Sequence, residues 1–388
     1  MTRTLAIHIL VDSCGWDVVG ERPWFLPELA HRQEVASVLG DASAFAPAIL
    51  SGLRPDESDH FCFLRWSPEE SPFSSRAKWA KILPSSIARQ AHVRELLSTQ
   101  LAAELGLTGE FSVRGVPLRR LGEFDWTQKR DLFALGGLNR GESIFDWLTR
   151  RRVTYHVSDR RSLEERRFAE AERAVSEGRV EFALVHATEL ASIVRQHAHD
   201  RDRIDRYLRG LQARVRSLVT SARRKYAHVQ VSLFSDHGTA EVTEHRDLQA
   251  EVDRLGLRWG HDYAAVFDST MARFWFLTDY AEERIREALP DDARGGWISR
   301  EREISLGVHW PDRRFGHAFY LLEPGQLICP SHLGHEPLRG MHGYRPDHMH
   351  SHAALLSDAP PAVPVRGLTD LFRCLQERPP VGALREAA

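Results

Sequence analysis

Leu5-Ala-Ile-His-Ile-Leu-Val11, followed at once by Asp12, is a short and nearly continuous apolar run that ends on a carboxylate. A strand with water on one face alternates apolar and polar residues, whereas a strand covered on both faces reads as an unbroken apolar run. The stretch therefore predicts a first strand buried in a mostly parallel α/β sheet, with Asp12 at its carboxyl end. Open α/β sheets place their ligands at that end, because the loops leaving it diverge and helix N-termini point toward it. A second stretch has the same shape: His228-Val-Gln-Val-Ser-Leu-Phe234 alternates, then fills, and ends in Ser235-Asp236-His237-Gly238. Two strand ends thus carry residue types that bind metals.

Outward from these strands, residues 44–53 read as a short helix entered through Asp41-Ala-Ser43 and stopped by Gly52 and Pro55. Residues 162–178 read as a charged helix, and 180–185 as a core strand. Residues 204–227 carry the apolar stripe Leu208, Leu211, Val215 and Leu218, which packs a helix on the sheet. Residues 263–276 and 315–328 read as further strands, and 368–377 as a short helix. Residues 56–148 are irregular, with Trp, Pro and Ser clusters and one amphipathic helix over 89–105. They are read as a cap inserted into a single large domain spanning residues 1–388.

Apolar residues at 42% and charged residues at 27% of 388 match a soluble globular chain, and no run nears the roughly 18 apolar residues of a membrane span. The amino-terminal apolar run is short and lacks a small-residue cleavage site behind it, so it reads as a buried strand and not a secretory signal. The expectation is a cytoplasmic protein. Cys14, Cys62, Cys329 and Cys374 show no C-x-x-C spacing and are read as reduced thiols. The 52 basic and 54 acidic residues nearly cancel, and the Arg-rich runs at 150–152 and 160–167 have acidic neighbours, so they read as solvated helix faces. No nucleic-acid partner is expected.

Asp12, the Phe234-Ser-Asp-His-Gly238 strand end, Met341-His-Gly-Tyr-Arg-Pro-Asp347 and Ala48-Ile-Leu-Ser-Gly-Leu-Arg-Pro55 occur in that set of positions. Together they resemble the motifs of the alkaline phosphatase superfamily, above all its phosphodiesterase/nucleotide-pyrophosphatase branch. The resemblance spans residues 5–356, and no motif covers the cap. It implies a three-layer α/β/α sandwich and metal-dependent hydrolysis or transfer at a phosphate ester, with a small phosphorylated, nucleotide-like substrate. In two-metal members an Asp, a Ser or Thr oxygen and an Asp-His pair hold one divalent ion, which lowers the nucleophile's pKa. The matching residues here are Asp12, Asp236 and His237. Zinc suits such mixed ligands best, with manganese or magnesium as alternatives.

The resemblance also implies a second ion, held by an Asp-x-x-x-His segment and a further histidine. In this chain Ala191 falls on the Asp and Arg195 on the His, which leaves His342 as the one motif-matched ligand of that site and predicts one ion in place of two. The Arg195 guanidinium, always charged and forked, could take over the missing ion's work on phosphoryl oxygens. A register shifted by a turn would instead bring in His197, His199 or Asp200, and a third reading is a non-catalytic or repurposed domain that binds a phosphorylated ligand. The family's threonine nucleophile aligns with Ala42 or Ser43, and Ser43 alone has a hydroxyl. The catalytic set expected is therefore Ser43 for attack, with Arg195 and His342 stabilising oxygens. Asp41 is read as a turn residue, the histidines at 348, 350 and 352 as a solvated turn, and Asp268-Ser-Thr-Met-Ala-Arg-Phe-Trp275 as packing or cap lining.

Overall fold

In the computed structural model, which describes residues 3–74 and 90–377, the first strand runs Thr4–Val11 and is buried from Leu5 onward. It is central to a six-stranded sheet in the order His31–Val35, Ala353–Ser357, His228–Phe234, Thr4–Val11, Phe182–Ala187, Tyr155–Val157. The first strand pairs in parallel with both neighbours, and Tyr155–Val157 continues that direction. Ala353–Ser357 alone is antiparallel to both of its partners. The mostly parallel sheet expected from the apolar run is therefore present.

Alternation along the first strand sorts its side chains into two layers. Leu5, Ile7, Ile9 and Val11 pack with Phe168, Leu190 and the Leu208, Leu211, Val215 and Leu218 stripe. These belong to the helices Glu164–Ser176, Glu189–His197 and Arg201–Arg223. Each fully buried leucine there is worth about 1.5–3 kcal/mol relative to exposure. On the other face Leu10, Leu184 and Phe234 pack with Phe45, Phe145 and Leu371, from the helices Ala42–Ser51, Ile144–Arg150 and Leu371–Gln376. The result is an α/β/α sandwich. His8, the polar residue inside the apolar run, meets the Ser232 hydroxyl at 2.7 Å. Burial drives its pKa down to about 3, so it sits in the core as a neutral ring.

A second, antiparallel sheet has the order Tyr263–Phe267, Met271–Phe276, Ala318–Leu322, Gly295–Trp297. Residues 263–276, expected as one strand, are a hairpin. The chain reverses at Asp268-Ser-Thr270, where the Asp268 amide donates to the Met271 carbonyl at 2.8 Å. Residues 315–328 are likewise split, because Gly325 takes a φ of 100° and sends Gln326–Ile328 to pair with Glu244–Arg246. Part of the 56–148 segment lies on this second sheet: Leu64, Leu101, Val113, Val116 and Phe124 form one cluster with Val266 and Trp275. Its helix is Ala91–Leu105, and Arg89 lies outside the described residues. The last helix of the segment, Ile144–Arg150, packs on the main sheet instead. Among the described residues no helix is long and apolar enough to cross a membrane.

Candidate active site

The two reactive strand ends lie on adjacent strands, with Leu10 level with Phe234. Asp12 leaves its strand with its amide bonded to the Ala187 carbonyl. Ser13 then turns into the left-handed region at φ 63°. That turn aims the Ser13 amide at Asp236 Oδ1 (3.1 Å) and the Ser13 hydroxyl at Asp12 Oδ1 (2.9 Å), so one residue orients both carboxylates. His237 Nδ1 lies 2.8 Å from the Gly238 carbonyl. A carbonyl only accepts, so Nδ1 carries the proton and the Nε2 lone pair is free. Nε2 stands 3.6 Å from Asp12 Oδ1 and 3.6 Å from Asp236 Oδ2. Two carboxylates facing an imidazole lone pair, with candidate ligand atoms all within 4.8 Å of one another, form a donor set that fits a divalent ion. The Nδ1 contact is the outer bond that typically orients a ligating histidine.

The charges around this trio are unequal. Burial alone would raise the Asp12 carboxyl, but His237, Arg195 and His186 together carry it below its ordinary value. Asp236 is pushed up to about 6 by burial, with the Asp12 charge adding to the rise and His237 opposing it. His342 stacks on His237 with ring centroids 3.9 Å apart. Burial, then His237 and Arg195, hold it well below the ordinary histidine value. It is a neutral ring whose Nδ1 is buried without a hydrogen-bond partner. Phe45 packs against both rings.

Two cavities meet at this point, between the main sheet and the second sheet. One, of about 630 Å³, is lined by Asp41, Ala42, Asp268 and His342 and walled by Phe63, Phe111 and Trp126. The other, of about 510 Å³, holds Asp12, Asp236, His186 and Ala191, with Arg160 and Arg161 on its rim. Ala42 and Arg195 line both. Ala191 and Arg195 lie one turn apart on the Glu189–His197 helix and face the site together. The Arg195 guanidinium makes no ion pair among the described residues, and its Nε is buried without a partner. Asp12, Asp236, His237, His342 and Arg195 are thus brought together.

Ser43 is placed differently. The helix starts at Ala42, two residues earlier than the sequence suggested, and is capped by Asp41, whose carboxylate accepts from the Ser43 amide at 2.8 Å. Ser43 is fully buried, and its hydroxyl helps lower the Asp41 carboxyl but makes no hydrogen bond of good geometry. It lines neither cavity, and Ala42 forms the wall that faces Asp12.

Two groups escaped the sequence reading. His186 is the penultimate residue of the Phe182–Ala187 strand, level with Leu10; burial and nearby arginines hold its pKa at about 3. The strand-end rule that singled out Asp12 points to it as well. The other is a buried acidic group, Asp41, Cys62 and Asp268, whose ligand-type atoms lie within 4.8 Å of one another. Burial, reinforced by the Asp268 charge, raises Asp41 to about 7. Arg273, fully buried, pairs with Asp268 at 2.6 Å and donates to the Leu64 and Phe315 carbonyls. The expected packing role of the 268–275 stretch is met by this pair, while Asp268 and Thr270 also line the larger cavity.

An α/β/α sandwich with an acid-and-histidine site at adjacent strand ends defines the alkaline-phosphatase-like fold class. Solved structures similar to this chain are phosphodiesterases of that class. Human ectonucleotide pyrophosphatase/phosphodiesterase 5 aligns with a TM-score of 0.65 at 12% identity, covering 96% of this chain and 94% of that one. The murine protein gives 0.66 at 12% identity over the same shares of the two chains. An inactive murine variant with threonine replaced by alanine, in complex with AMP, gives 0.66 at 13% over those same shares. At such identity the likeness is one of fold. No family model and no curated protein matches the chain.

Proposed function

We propose that the chain binds a nucleotide-like phosphate ester at the strand ends, through one divalent ion on Asp12, Asp236 and His237 and through Arg195. The observation that carries this reading is the unpaired Arg195 guanidinium standing at the junction of the two cavities beside the Asp12–Asp236–His237 trio. A bound ion would supply Lewis-acid charge to a phosphoryl oxygen. Arg195 would supply a second positive charge in a planar fork that matches two such oxygens. The neutral His342 adds a polar edge without charge. The aromatic wall of Phe63, Phe111 and Trp126, with Phe63 and Trp126 stacked at 5.1 Å, suits a planar base, and the 56–148 segment reaches the ligand as a cap through these residues. One of the similar structures holds AMP in an inactive variant whose threonine is alanine; in this chain Ala42, one of the two residues with which the family's threonine aligns, lines both cavities.

In the arrangement described, the site holds its ligand without forming a Ser43 phospho-enzyme. Hydrolysis through Ser43, with zinc as the preferred ion, is the second reading. It is favoured by one observation, a Ser43 hydroxyl that makes no hydrogen bond of good geometry at a helix N-terminus next to the site, and it requires that hydroxyl to leave its slot.

Calorimetric titration with AMP, with and without zinc, tests the first reading. Zinc-dependent binding is expected, weakened roughly ten-fold or more in Arg195→Ala, because a charge-assisted hydrogen bond contributes about 1.5–3 kcal/mol. Failure to bind AMP with zinc, manganese or magnesium present would overturn it. Turnover of a nitrophenyl phosphodiester that disappears in Ser43→Ala would establish the second.

A further inference from the structure

Away from the cavities, Asp17, His199 and His350 bring a carboxylate and two imidazoles together, with candidate ligand atoms within 4.8 Å of one another. Asp17 Oδ2 lies 3.2 Å from His350 Nδ1 and 3.8 Å from His199 Nε2. The three come from separate parts of the chain and are each held by local structure. Asp17 sits on the short helix Trp16–Val19 that follows the first strand. His199 lies in the turn between two helices, fixed on one side by Ala198 at φ 49° and on the other by Asp200, which caps Arg201–Arg223. His350 lies in the turn Met349–Ser351, which is tied to the Asp17 loop by the bond from the Trp16 amide to the His352 carbonyl at 3.0 Å.

Two further atoms point to a missing partner. Asp17 Oδ1 and His199 Nε2 are both buried without a hydrogen bond, and a buried polar atom left so costs about 1–3 kcal/mol. The cations nearby are engaged elsewhere: Arg22 pairs with Asp205 at 2.6 Å and Arg201 with Glu21 at 2.7 Å. A side cavity of about 490 Å³, lined by Asp17, His199, His350 and Met349, gives solvent a route to the cluster. Two histidines and one carboxylate with an open fourth position are the donor set of a zinc site, and soft adjustments of side-chain torsion would bring the donors to about 2.0–2.2 Å from an ion.

We propose that Asp17, His199 and His350 form a second divalent-cation site, of zinc type, which pins the 15–17, 198–200 and 348–352 loops together. The pinning bears on the strand ends. A Cβ on Gly238 would stand 2.4 Å from the His350 carbonyl oxygen, and one on Gly15 would stand 2.4 Å from Gly238 Cα, so the loops tied by this ion are in backbone contact with the residue after His237.

The site is independent of the phosphate-ester reading, and the test keeps the two apart. Cobalt(II) is added to the full chain carrying Asp236→Asn and His237→Ala, and the visible bands of a four- or five-coordinate ion are recorded. The bands are expected in that background and are expected to vanish when His350→Ala or His199→Ala is added. Zinc content of the otherwise unaltered chain is measured alongside, and His199→Ala is expected to lower it by one ion per chain. No bands in the double variant while circular dichroism shows it folded, or zinc content unchanged by both His199→Ala and His350→Ala, would overturn the proposal.

Discussion

One residue separates an alanine wall from a buried hydroxyl, and the chemistry of the site turns on it. Ala42→Thr places a hydroxyl where Ala42 now faces Asp12, and with zinc present we expect slow phosphodiester cleavage above the wild-type rate, followed by nitrophenol release. Ser43→Ala removes a buried hydroxyl that makes no hydrogen bond of good geometry yet helps hold the Asp41 carboxyl down, so Asp41 is expected to titrate higher while stability, read from the urea midpoint, moves by no more than about 1 kcal/mol. Asp41 titrates near 7 in the fold against about 3.9 in an unfolded chain, so the folded state holds the extra proton. Its contribution is therefore fully present below about pH 4 and is lost as pH rises through 7, at a slope of up to about 1.4 kcal/mol per pH unit. Asp41→Asn flattens that slope in urea titrations repeated across the range. Asp12 and the Asp236–His237 pair were readable as strand-end residues because the runs Thr4–Val11 and His228–Phe234 that precede them announce themselves. The choice between Ala42 and Ser43 was not, since it depends on which residue opens the helix, and the Asp41 cap lies two residues ahead of where periodicity put the start.

At the scale of elements, a tight constraint beside the site is the crossing of Gly15 and Gly238. Gly238→Ala would drive a Cβ into the His350 carbonyl at 2.4 Å, a backbone atom that cannot rotate away. A loss of about 1–3 kcal/mol, the usual range for overpacking, is expected in thermal melts together with weaker ion binding. The helix Arg201–Arg223 and the strands Thr4–Val11, Phe182–Ala187 and His228–Phe234 were readable, because a long amphipathic stripe such as Leu208 to Leu218 and a continuous apolar run have few alternatives, whereas Tyr155–Val157 and the helix Asp279–Ala288 were not read. The antiparallel sheet was harder. Its hairpin turn at Asp268-Ser-Thr270 contains neither Gly nor Pro, and it is held by Arg273, whose partners at Leu64 and Phe315 are distant in sequence. No local pattern carries that information. Likewise, nothing in the sequence relates His350, in its run of turn histidines, or His199 to Asp17 until the fold sets them together.

Across the whole molecule, Arg273 ties three distant stretches, the Asp268 turn, Leu64 and Phe315, through one guanidinium. Arg273→Ala leaves Asp268 buried without its counter-charge, so a loss of about 3–5 kcal/mol is expected in urea unfolding. The order of the main sheet has a further consequence, for synthesis on the ribosome. Ala353–Ser357 is wedged between His228–Phe234 and His31–Val35, so a strand made early waits with both edges bare until residue 353 and its neighbours emerge. Until then the nascent chain can assemble the parallel strands but must carry an open edge on His228–Phe234, the kind of surface that chaperones cover and other chains copy. A chain stalled before residue 353 is therefore expected to associate with its neighbours, while the same chain released with that strand included closes on itself.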